Sequence, residues 1–454
     1  MNTAERLSDY ARALSYSDLD ENTLLEAKKR LIDALGCAIG AFAEAPVRIA
    51  RKVAESDRTG GTSTILGIKV KTSPDMATFV NGLMVRYFDY NDTYLSKEPA
   101  HPSDNISACL AVAEREGSSG KALLTAIVLA YEIQCRLCDA ADIRHRGWDH
   151  VNYGLVSSAL AAGKLMGLPS NKLTQAVNIS LNSHLSMRQV RAGELSEWKG
   201  ASFANAARNA VFSATLAAYG MTGPSPIFEG EMGFFKQVSG PFELDTREFG
   251  AAGKRFKLVE TYIKYFPAEY HAQSAIWAAL QARKKIGAVE RIDSVLVETH
   301  EAGFSILGKD KEKWAPSTKE TADHSLPFMV GMALLKGRID NSTYAAKNLG
   351  DPRVLSFLKK VSVREDRSLT DAYPGHIANR VTLRLKGGLT LSEQVDDPRG
   401  HTNNPMTKEE VESKFRRLTR KFLGKAQAQE IMDFVWDLEK QKQGAKLMEL
   451  CVVR

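Results

Sequence analysis

The most constraining feature of this sequence is a run of helical length that is apolar on nearly every side. Residues 121–139 read KALLTAIVLAYEIQCRLCD. A helix that is hydrophobic all round has no face to turn to water, so it must be surrounded by other elements. The sequence therefore predicts a helical bundle with residues 121–139 near its centre.

Helical periodicity extends from the N-terminus to about residue 260. In LLEAKKRLIDALGCAIGAF, at residues 24–42, apolar side chains fall on one helical face: Leu24, Leu31, Leu35 and Ile39. Gly36 and Gly40 lie in the same stretch and allow another helix to approach closely. ANAARNAVFSATLAAYG, which ends at Gly220, predicts a further long helix with a glycine stop.

The pattern changes after about residue 290. RIDSVLVETH alternates with period two, VSVRE at residues 361–365 does so more briefly, and RVTLRLKGGLTLSEQV predicts a hairpin that turns at Gly387 and Gly388. HSLPFMVGMALL at residues 324–335 predicts a helix between these strands. These elements predict a smaller α+β domain built on an antiparallel sheet.

The predicted fold class is mainly α, with a large all-helical domain and an inserted smaller α+β lid domain. Residues 1–264 form the first part of the helical domain, and residues 265–395 form the lid. Residues 396–454 are amphipathic and too short for a core of their own, so they are expected to pack back and complete the helical domain.

The charge distribution favours a chain without nucleic-acid or membrane partners. The 61 basic and 54 acidic residues leave a net charge of +7 in 454 residues. The basic stretch KFRRLTRKFLGK alternates with apolar positions at helical spacing and predicts a solvated helix face. The sequence has neither a signal-peptide pattern nor an apolar run of about 18 residues, which predicts a cytoplasmic protein.

The five cysteines do not indicate a disulfide framework or a metal cluster. They are an odd number and lie mostly in apolar helical contexts: Cys37, Cys109, Cys135, Cys138 and Cys451. The CxxC pair at Cys135 and Cys138 lacks a second pair or a histidine at ligand spacing, so both residues are interpreted as structural.

Polar clusters at four segment junctions are the candidate sites, since no nucleotide-binding, serine-hydrolase or zinc-protease motif is present. The clusters are DYNDTYLSKEPAHPSDN, RHRGWDHVNYG, RQVRAGELSEWKGASFANAARNA and KYFPAEYHAQSA. Basic groups beside imidazoles and carboxylates suit a small polycarboxylate substrate. Each cluster also has a structural explanation: Ser103 or Asp104 can cap a helix, His150 can begin one, and Lys199 can lie in solvent.

Six ordered segments, from about residue 30 to residue 425, resemble the signature segments of the MmgE/PrpD family. They are DYNDTYLSKEPAHPSDN, GWDHVNYG, ELSEWKGASFANAARNA, KYFPAEYHAQSA, TADHSLPF and GHTNNPMTKEEVESKF. The family includes 2-methylcitrate dehydratases, cis-aconitate decarboxylases and an iminodisuccinate epimerase. The resemblance implies a helical domain with an α+β lid, a site in the cleft between them, a homodimer, and no metal or organic cofactor.

The resemblance also implies the site residues. Those matching the family's catalytic positions are Asp89, Thr93, His101, His150, Lys199 and Lys264. Asp92, Ser103, Arg188, Arg191, Glu269 and His271 are expected to bind substrate, and no residue is assigned to a metal. Where the decarboxylases carry a histidine after the FPA turn, this chain has Glu269, and RAGELSEWKG departs from the RKSWAAGD-like sequence of the best-known dehydratases.

The expected function is metal-independent elimination of water from 2-methylcitrate or a related hydroxy-tricarboxylate, giving a cis-aconitate-type product. Lys199, Lys264 and Arg191 are expected to hold carboxylates, while His101 and His150 exchange protons in either order. A decarboxylase or an epimerase of a small dicarboxylate on the same scaffold is the alternative. A non-catalytic binding protein is the third reading.

Overall fold

The computed structural model describes residues 1–56 and 60–453. In these ranges the chain is mainly α-helical. The first helices are α1 (Thr3–Ala13), α2 (Glu21–Gly40), α3 (Ala45–Ser56), α4 (Pro74–Arg86), α5 (Ile106–Arg115), α6 (Gly120–Ala140), α7 (Val151–Leu165), α8 (Ser170–Ser183) and α9 (Trp198–Ala218). They are followed by α10 (Gln273–Ile286), α11 (Glu301–Leu307), α12 (Lys319–Ala322), α13 (Leu326–Lys336), α14 (Ala346–Leu349), α15 (Pro352–Leu358) and α16 (Arg367–Ala372). The last helices are α17 (Lys408–Thr419), α18 (Lys425–Trp436) and α19 (Leu447–Leu450).

Strands occur in three small sheets within the described ranges. The strands are β1 (Ser63–Thr64), β2 (Lys71–Thr72), β3 (Asp92–Thr93), β4 (Tyr262–Ile263), β5 (Ile292–Thr299), β6 (Val361–Glu365), β7 (Asn379–Leu385) and β8 (Thr390–Val395). β1 pairs with β2, β3 pairs with β4, and the other four strands form one sheet in the order β6-β5-β7-β8. The region predicted to be entirely helical therefore contains two short antiparallel ladders. Their strands are only two residues long, which is too short to show a strand periodicity in the sequence.

The four-stranded sheet corrects one prediction. The hairpin of β7 and β8 is present as expected, but β5 pairs in parallel with β6, so the sheet is mixed rather than antiparallel. Parallel strands need a long crossover connection. Helices α11 to α15 lie between β5 and β6 and supply that connection. Helices α10 and α13 pack together, and α10 lies against β7 and β8.

The described chain has two large hydrophobic cores and a small third cluster of Leu95, Tyr262, Tyr270 and Ile377. The first gathers buried side chains from Ala4 to Ile263 and again from Met406 to Cys451. The second gathers buried side chains from Phe266 to Leu385. Helix α6 is buried along most of its length within the first core, as its apolar sequence predicts.

Helix α17, in the C-terminal part of the chain, packs against α2, where Gly36 and Gly40 permit close approach. A capping box at Thr407 and Glu410 starts α17, and Phe415 is fully buried against α2. The prediction of a solvated face for KFRRLTRKFLGK is wrong at its first residue, because Lys414 is only 1% exposed. Its ammonium group is paired with Asp33, which an amphipathic pattern alone does not reveal.

None of the described helices combines the length and the apolar composition that crossing a lipid bilayer requires. All five cysteines are buried and free, in agreement with the prediction that they form no disulfide.

Replacing Gly36 with valine is expected to separate α2 from α17. A Cβ atom at Gly36 would lie 3.2 Å from Cδ2 and 3.3 Å from Cα of Phe415, so the backbone of α17 would have to move. Overpacking of this kind lowers the free energy of unfolding by about 1–3 kcal/mol. Chemical denaturation followed by circular dichroism measures the change. Gly350→Val is the control, since no atom lies within 4 Å of the position its Cβ would take, and equal stability of the two variants would contradict the packing account.

Candidate active site

A cavity of about 340 Å³ lies where the two hydrophobic cores meet. The side chains on its wall that precede residue 265 include Arg86, Asp89, Thr93, Leu95, Pro99, His101, His150, Arg188, Arg191, Leu195, Lys199 and Lys264. Those that follow include Glu269, Ser305, Ile306, Asp310, Lys313 and His324. The cavity thus gathers residues from segments far apart in the chain.

A buried carboxylate lies at the centre of this wall. Asp89 follows the end of α4 in a turn with φ of 49°, and it is 2% exposed. Its Oδ1 is 2.5 Å from Arg86 Nη1 and 2.5 Å from Lys264 Nζ, and its Oδ2 is 3.1 Å from Lys199 Nζ. Burial alone raises the pKa of Asp89, but these three cations lower it well below its ordinary value. Asp89 is therefore an ionised carboxylate held by three cations.

A second carboxylate reaches the same lysine from the other core. Lys199, in the first turn of α9, lies with its Nζ 3.0 Å from Asp323 Oδ1 and 3.1 Å from His324 Nδ1. Asp323 and His324 follow α12, and His324 Nδ1 is 2.7 Å from Asp323 Oδ1. Burial lowers the pKa of His324 to about 4, so this imidazole is neutral at pH 7. Lys199 thereby links the two cores across the cavity.

His101 is held by contacts at both ring nitrogens. Arg86 donates from Nη2 to His101 Nε2 at 2.9 Å, since a guanidinium has only donors. Nδ1 therefore carries the proton and donates to the carbonyl oxygen of Asp92 at 2.7 Å. The pKa of His101 lies well below its ordinary value. Burial is the largest cause, and the charges of Arg86 and Lys264 act in the same direction. His101 is neutral, with both nitrogens engaged.

His150 is also neutral, and it precedes α7. Its Nδ1 is buried without a hydrogen-bond partner, and its Nε2 is 3.6 Å from Asp149 Oδ1. Burial lowers the pKa of His150 to about 3, which outweighs the opposing effect of Asp149. Asp149 is itself paired with Arg191, at 3.1 Å. The rings of His101 and His150 lie edge to face with centroids 5.7 Å apart.

The charge of the wall favours an anionic ligand. Six lysine or arginine side chains and three carboxylates line the cavity, so basic groups are in excess by three. Burial raises the pKa of one of those carboxylates, Glu269, which reduces the negative charge further. A low-dielectric wall of one predominant sign concentrates ligands of the opposite charge.

Asp89, Asp323 and His324 present ligand atoms within 4.8 Å of one another, the spacing of a possible metal site. The carboxylate oxygens in this group are already in contact with Lys199, Lys264 and Arg86. A divalent cation at this place would meet three positive side chains. The donor set therefore suits protein cations and carboxylates better than a metal ion.

Most of the residues selected from the sequence line this cavity. They are Asp89, Thr93, His101, His150, Arg188, Arg191, Lys199, Lys264 and Glu269. Asp92, Ser103 and His271, which are also expected to bind substrate, are buried and are not among the residues that line this cavity. Asp92 accepts hydrogen bonds from Ser103 and Tyr131, which occupy both carboxylate oxygens. His271 packs against His300 and Tyr373.

Arg86, Asp323 and His324 are not among the site residues that the sequence predicts. Arg86 lies in the last turn of α4, where a basic residue is ordinary and carries no signal of function. Asp323 and His324 lie in TADHSLPF, a segment that carried the family resemblance without a residue being assigned. That segment was the available signal for the second half of the charge cluster.

Two parts of the chain match the two domains of one family. The MmgE/PrpD N-terminal domain matches residues 5–247, and the MmgE/PrpD C-terminal domain matches residues 266–439. The 2-methylcitrate dehydratase of Cupriavidus necator is 30% identical over 403 residues, which cover 83% of this chain and 81% of that protein.

Two further relatives show similar coverage. The 2-methylcitrate dehydratase of Escherichia coli (strain K12) is 29% identical over 401 residues, with 82% of this chain and 80% of that protein covered. The alkylcitrate dehydratase phiI of Fungal sp. (strain ATCC 74256) is 29% identical over 450 residues, with 89% and 85% covered.

Taken with the cavity, these similarities show that the chain is an enzyme, a hydro-lyase resembling the 2-methylcitrate dehydratases. It belongs to the MmgE/PrpD family.

Replacing His271 with glutamine is expected to change stability rather than turnover. Burial lowers the pKa of His271 from its ordinary value of 6.5 to about 3. Between pH 6.5 and pH 3 the unfolded chain therefore binds a proton that the folded chain does not. Folding stability is therefore lost as the pH falls from 6.5 towards 3, by up to about 1.4 kcal/mol per pH unit for this residue. The variant should lose less stability than the unmodified enzyme between pH 6.5 and pH 5 in denaturation experiments.

The exposed His145→Gln variant is the control for that experiment. Loss of turnover on replacement of His271, with the fold intact, would contradict its placement outside the cavity.

Proposed function

We propose that this enzyme eliminates water from 2-methylcitrate or a related hydroxy-tricarboxylate, giving a cis-aconitate-type product without a metal ion. The observation that carries the proposal is the charge cluster around Asp89, which lines one positively charged cavity together with two neutral histidines. The relatives named 2-methylcitrate dehydratase support the choice of substrate.

The cavity offers complementary groups for each part of such a substrate. Lys199, Lys264 and Arg191 provide charge for its carboxylates, and Thr93 offers a hydroxyl group. Apolar side chains also line the wall and can accommodate an alkyl substituent: Leu95, Pro99, Leu195 and Ile306. The alkylcitrate dehydratase among the relatives is consistent with an alkyl-bearing substrate.

The proton removed in the reaction lies α to a carboxylate and is weakly acidic. We assign its removal to His150, because this imidazole is neutral and lines the cavity. The C–H electron pair forms the new double bond as the C–O bond breaks. Lysine and arginine charges stabilise the negative charge that develops on the substrate carboxylate.

The leaving hydroxide takes the proton from the His150 imidazolium and departs as water, which returns His150 to its neutral form. Asp149, 3.6 Å from His150 Nε2, stabilises the imidazolium while it exists. His101 has no free nitrogen in this arrangement, and its proposed role is to orient Thr93 and Arg86 beside the reacting atoms. Asp89 acts on His101 through Arg86, which contacts both.

We also propose that the second hydrophobic core is an inserted lid over the site. Residues 265–395 would form this domain, between helical parts at residues 1–264 and 396–454. Ser305, Ile306 and Lys313 support the proposal because they belong to residues 265–395 and line the same cavity as His101 and His150. Closure of such a lid would exclude water and strengthen the electrostatic contacts with substrate.

Replacing His150 with alanine tests the assignment of the base. With purified enzyme in EDTA and 2-methylcitrate, the variant should turn over about 10²–10⁴-fold more slowly, because a positioned proton-transfer group is lost. Proton NMR measures both the rate and the product. His145→Ala is the matched control, since His145 lies in the same segment but is exposed.

Equal rates for the His150→Ala and His145→Ala variants would contradict the assignment of His150. A decarboxylated product would indicate the decarboxylase alternative, and inversion without loss of water would indicate an epimerase. Activity that disappears in EDTA and returns with a metal ion would contradict metal independence.

We further propose that the enzyme is a homodimer that uses the outer face of α9. Trp198 and Phe212 on this helix, and Tyr219 directly after its end, are 51%, 49% and 83% exposed. Large apolar side chains repeated along one exposed helix face are typical of an interaction surface. A second copy of the chain is the proposed occupant, because the family resemblance implies a homodimer.

Introducing charge on this face should therefore separate the subunits. The Phe212→Lys and Tyr219→Lys double variant is expected to halve the mass measured by light scattering after size exclusion, because buried charges disfavour association. Met232→Lys is the control, an exposed apolar residue outside α9. A monomeric unmodified enzyme, or a variant that remains dimeric, would rule out this interface.

A further inference from the structure

We propose that Lys414 is a positioning residue, which fixes the backbone that carries Asp89 and Lys264. This inference rests on the proposed function, since it concerns the same charge cluster. Lys414 lies on α17, in the C-terminal part of the chain, and does not line the cavity. Its effect on the reaction must therefore be transmitted through other residues.

The ammonium group of Lys414 makes three polar contacts. It donates to the carbonyl oxygen of Tyr90 at 2.7 Å and to the carbonyl oxygen of Lys264 at 2.7 Å. Asp33 Oδ1, on α2, lies 2.6 Å from Lys414 Nζ. One side chain thereby joins three segments of the chain.

Two of these segments carry the charge pair of the site. Tyr90 directly follows Asp89, and Lys264 itself contributes the second bonded carbonyl. Lys264 Nζ then donates to the backbone oxygen of Asp89 at 2.9 Å and contacts its carboxylate at 2.5 Å. Lys414, Tyr90, Asp89 and Lys264 form a closed ring of contacts.

Asp89 needs such a restraint because its backbone is left-handed, with φ of 49°. A non-glycine residue in that conformation persists only where its surroundings hold it. The short ladder of β3 and β4 pairs Asp92 with Ile263, and so joins the segment that carries Asp89 to the segment that carries Lys264. Lys414 joins the same two segments at Tyr90 and Lys264.

A second residue of α17 reinforces the same place. Arg417, one turn after Lys414, donates from Nη2 to the hydroxyl of Tyr90 at 2.7 Å. That hydroxyl donates to the carbonyl oxygen of Tyr265 at 2.5 Å. The ammonium of Lys414 also lies 3.8 Å from the centre of the Tyr90 ring. Helix α17 thus holds both the backbone and the side chain of Tyr90.

The contacts of buried Lys414 with two backbone carbonyls argue against a purely general role in stability. An ion pair with Asp33 alone can often be replaced by apolar residues of similar volume without loss of stability. The two backbone carbonyls beside Asp89 are what an apolar replacement cannot satisfy. The effect of Lys414 on turnover should therefore be separable from its effect on folding.

Two double variants make this separation. D33L/K414M removes both charges and all three contacts of the ammonium group. D33N/K414Q also removes both charges but keeps an N–H donor, on a side chain one atom shorter than that of lysine. The matched control is Lys28→Met, because Lys28 also joins α2 to the C-terminal part of the chain, through the carbonyl oxygen of Trp436 and Glu439, without contacting the loop of Asp89.

D33L/K414M is expected to lose about 100-fold in kcat with 2-methylcitrate, the effect of a misplacement of about 1 Å at a catalytic group. D33N/K414Q should recover part of that loss, and Lys28→Met should retain the kcat of the unmodified enzyme. Amide hydrogen exchange should become faster over residues 89–94 in D33L/K414M alone. Thermal unfolding of each variant confirms that folded enzymes are compared.

Folded D33L/K414M with the kcat and the exchange rates of the unmodified enzyme would overturn the proposal. The same loss of kcat in Lys28→Met would also overturn it, by showing a general effect of the contact between α2 and the C-terminal helices. If the unmodified enzyme does not dehydrate 2-methylcitrate, the proposed function fails. Hydrogen exchange then still tests the positioning role, because unchanged exchange over residues 89–94 refutes it without reference to turnover.

Discussion

The carboxylate of Asp89, buried among three cations, is the interaction on which the candidate site depends. Moving one such ion from water to a low-dielectric interior costs of order 20 kcal/mol in the idealised limit, and several kcal/mol in real proteins. Only close and well-oriented partners offset that cost. Arg86, Lys199 and Lys264 provide them from α4, α9 and the segment after β4.

The same cations help to keep the histidines neutral. A positive charge near an imidazole disfavours its protonation, and burial acts in the same direction. His101 contacts Arg86 directly, while the pKa of His150 is lowered mainly by burial. A neutral imidazole is the form that can accept a proton from a weakly acidic carbon. The same group of buried cations can thus bind substrate carboxylates and keep the imidazole of the base neutral.

Local patterns in the sequence predicted the helices and the hairpin, because each has a periodicity or a turn that its own residues determine. The hairpin of β7 and β8 required only alternation and Gly387-Gly388. The parallel pairing of β5 with β6 depends on a long crossover and could not be predicted from either strand. The sequence pattern predicted that the Lys414 side chain is exposed to solvent, because its partner, Asp33, is distant in sequence.

The candidate site shows the same limit. Polar clusters at segment junctions indicated His101, His150 and Lys199, since such groups are conspicuous between apolar helices. Arg86 was missed because a basic residue at a helix end is ordinary. Asp92 was selected for its position in a polar loop, although Ser103 and Tyr131 occupy its carboxylate. Sequence pattern identifies the loops of a site, whereas the side chains that enter the cavity follow from packing.

The most direct test of this account is an X-ray difference map of the His150→Ala enzyme soaked with 2-methylcitrate in EDTA. The account predicts density for the ligand in the cavity, with its carboxylates within hydrogen-bond distance of Lys199 and Lys264 and its α-carbon beside the position vacated by the imidazole. Density outside the cavity, or a metal ion bridging Asp89, Asp323 and His324, would contradict it.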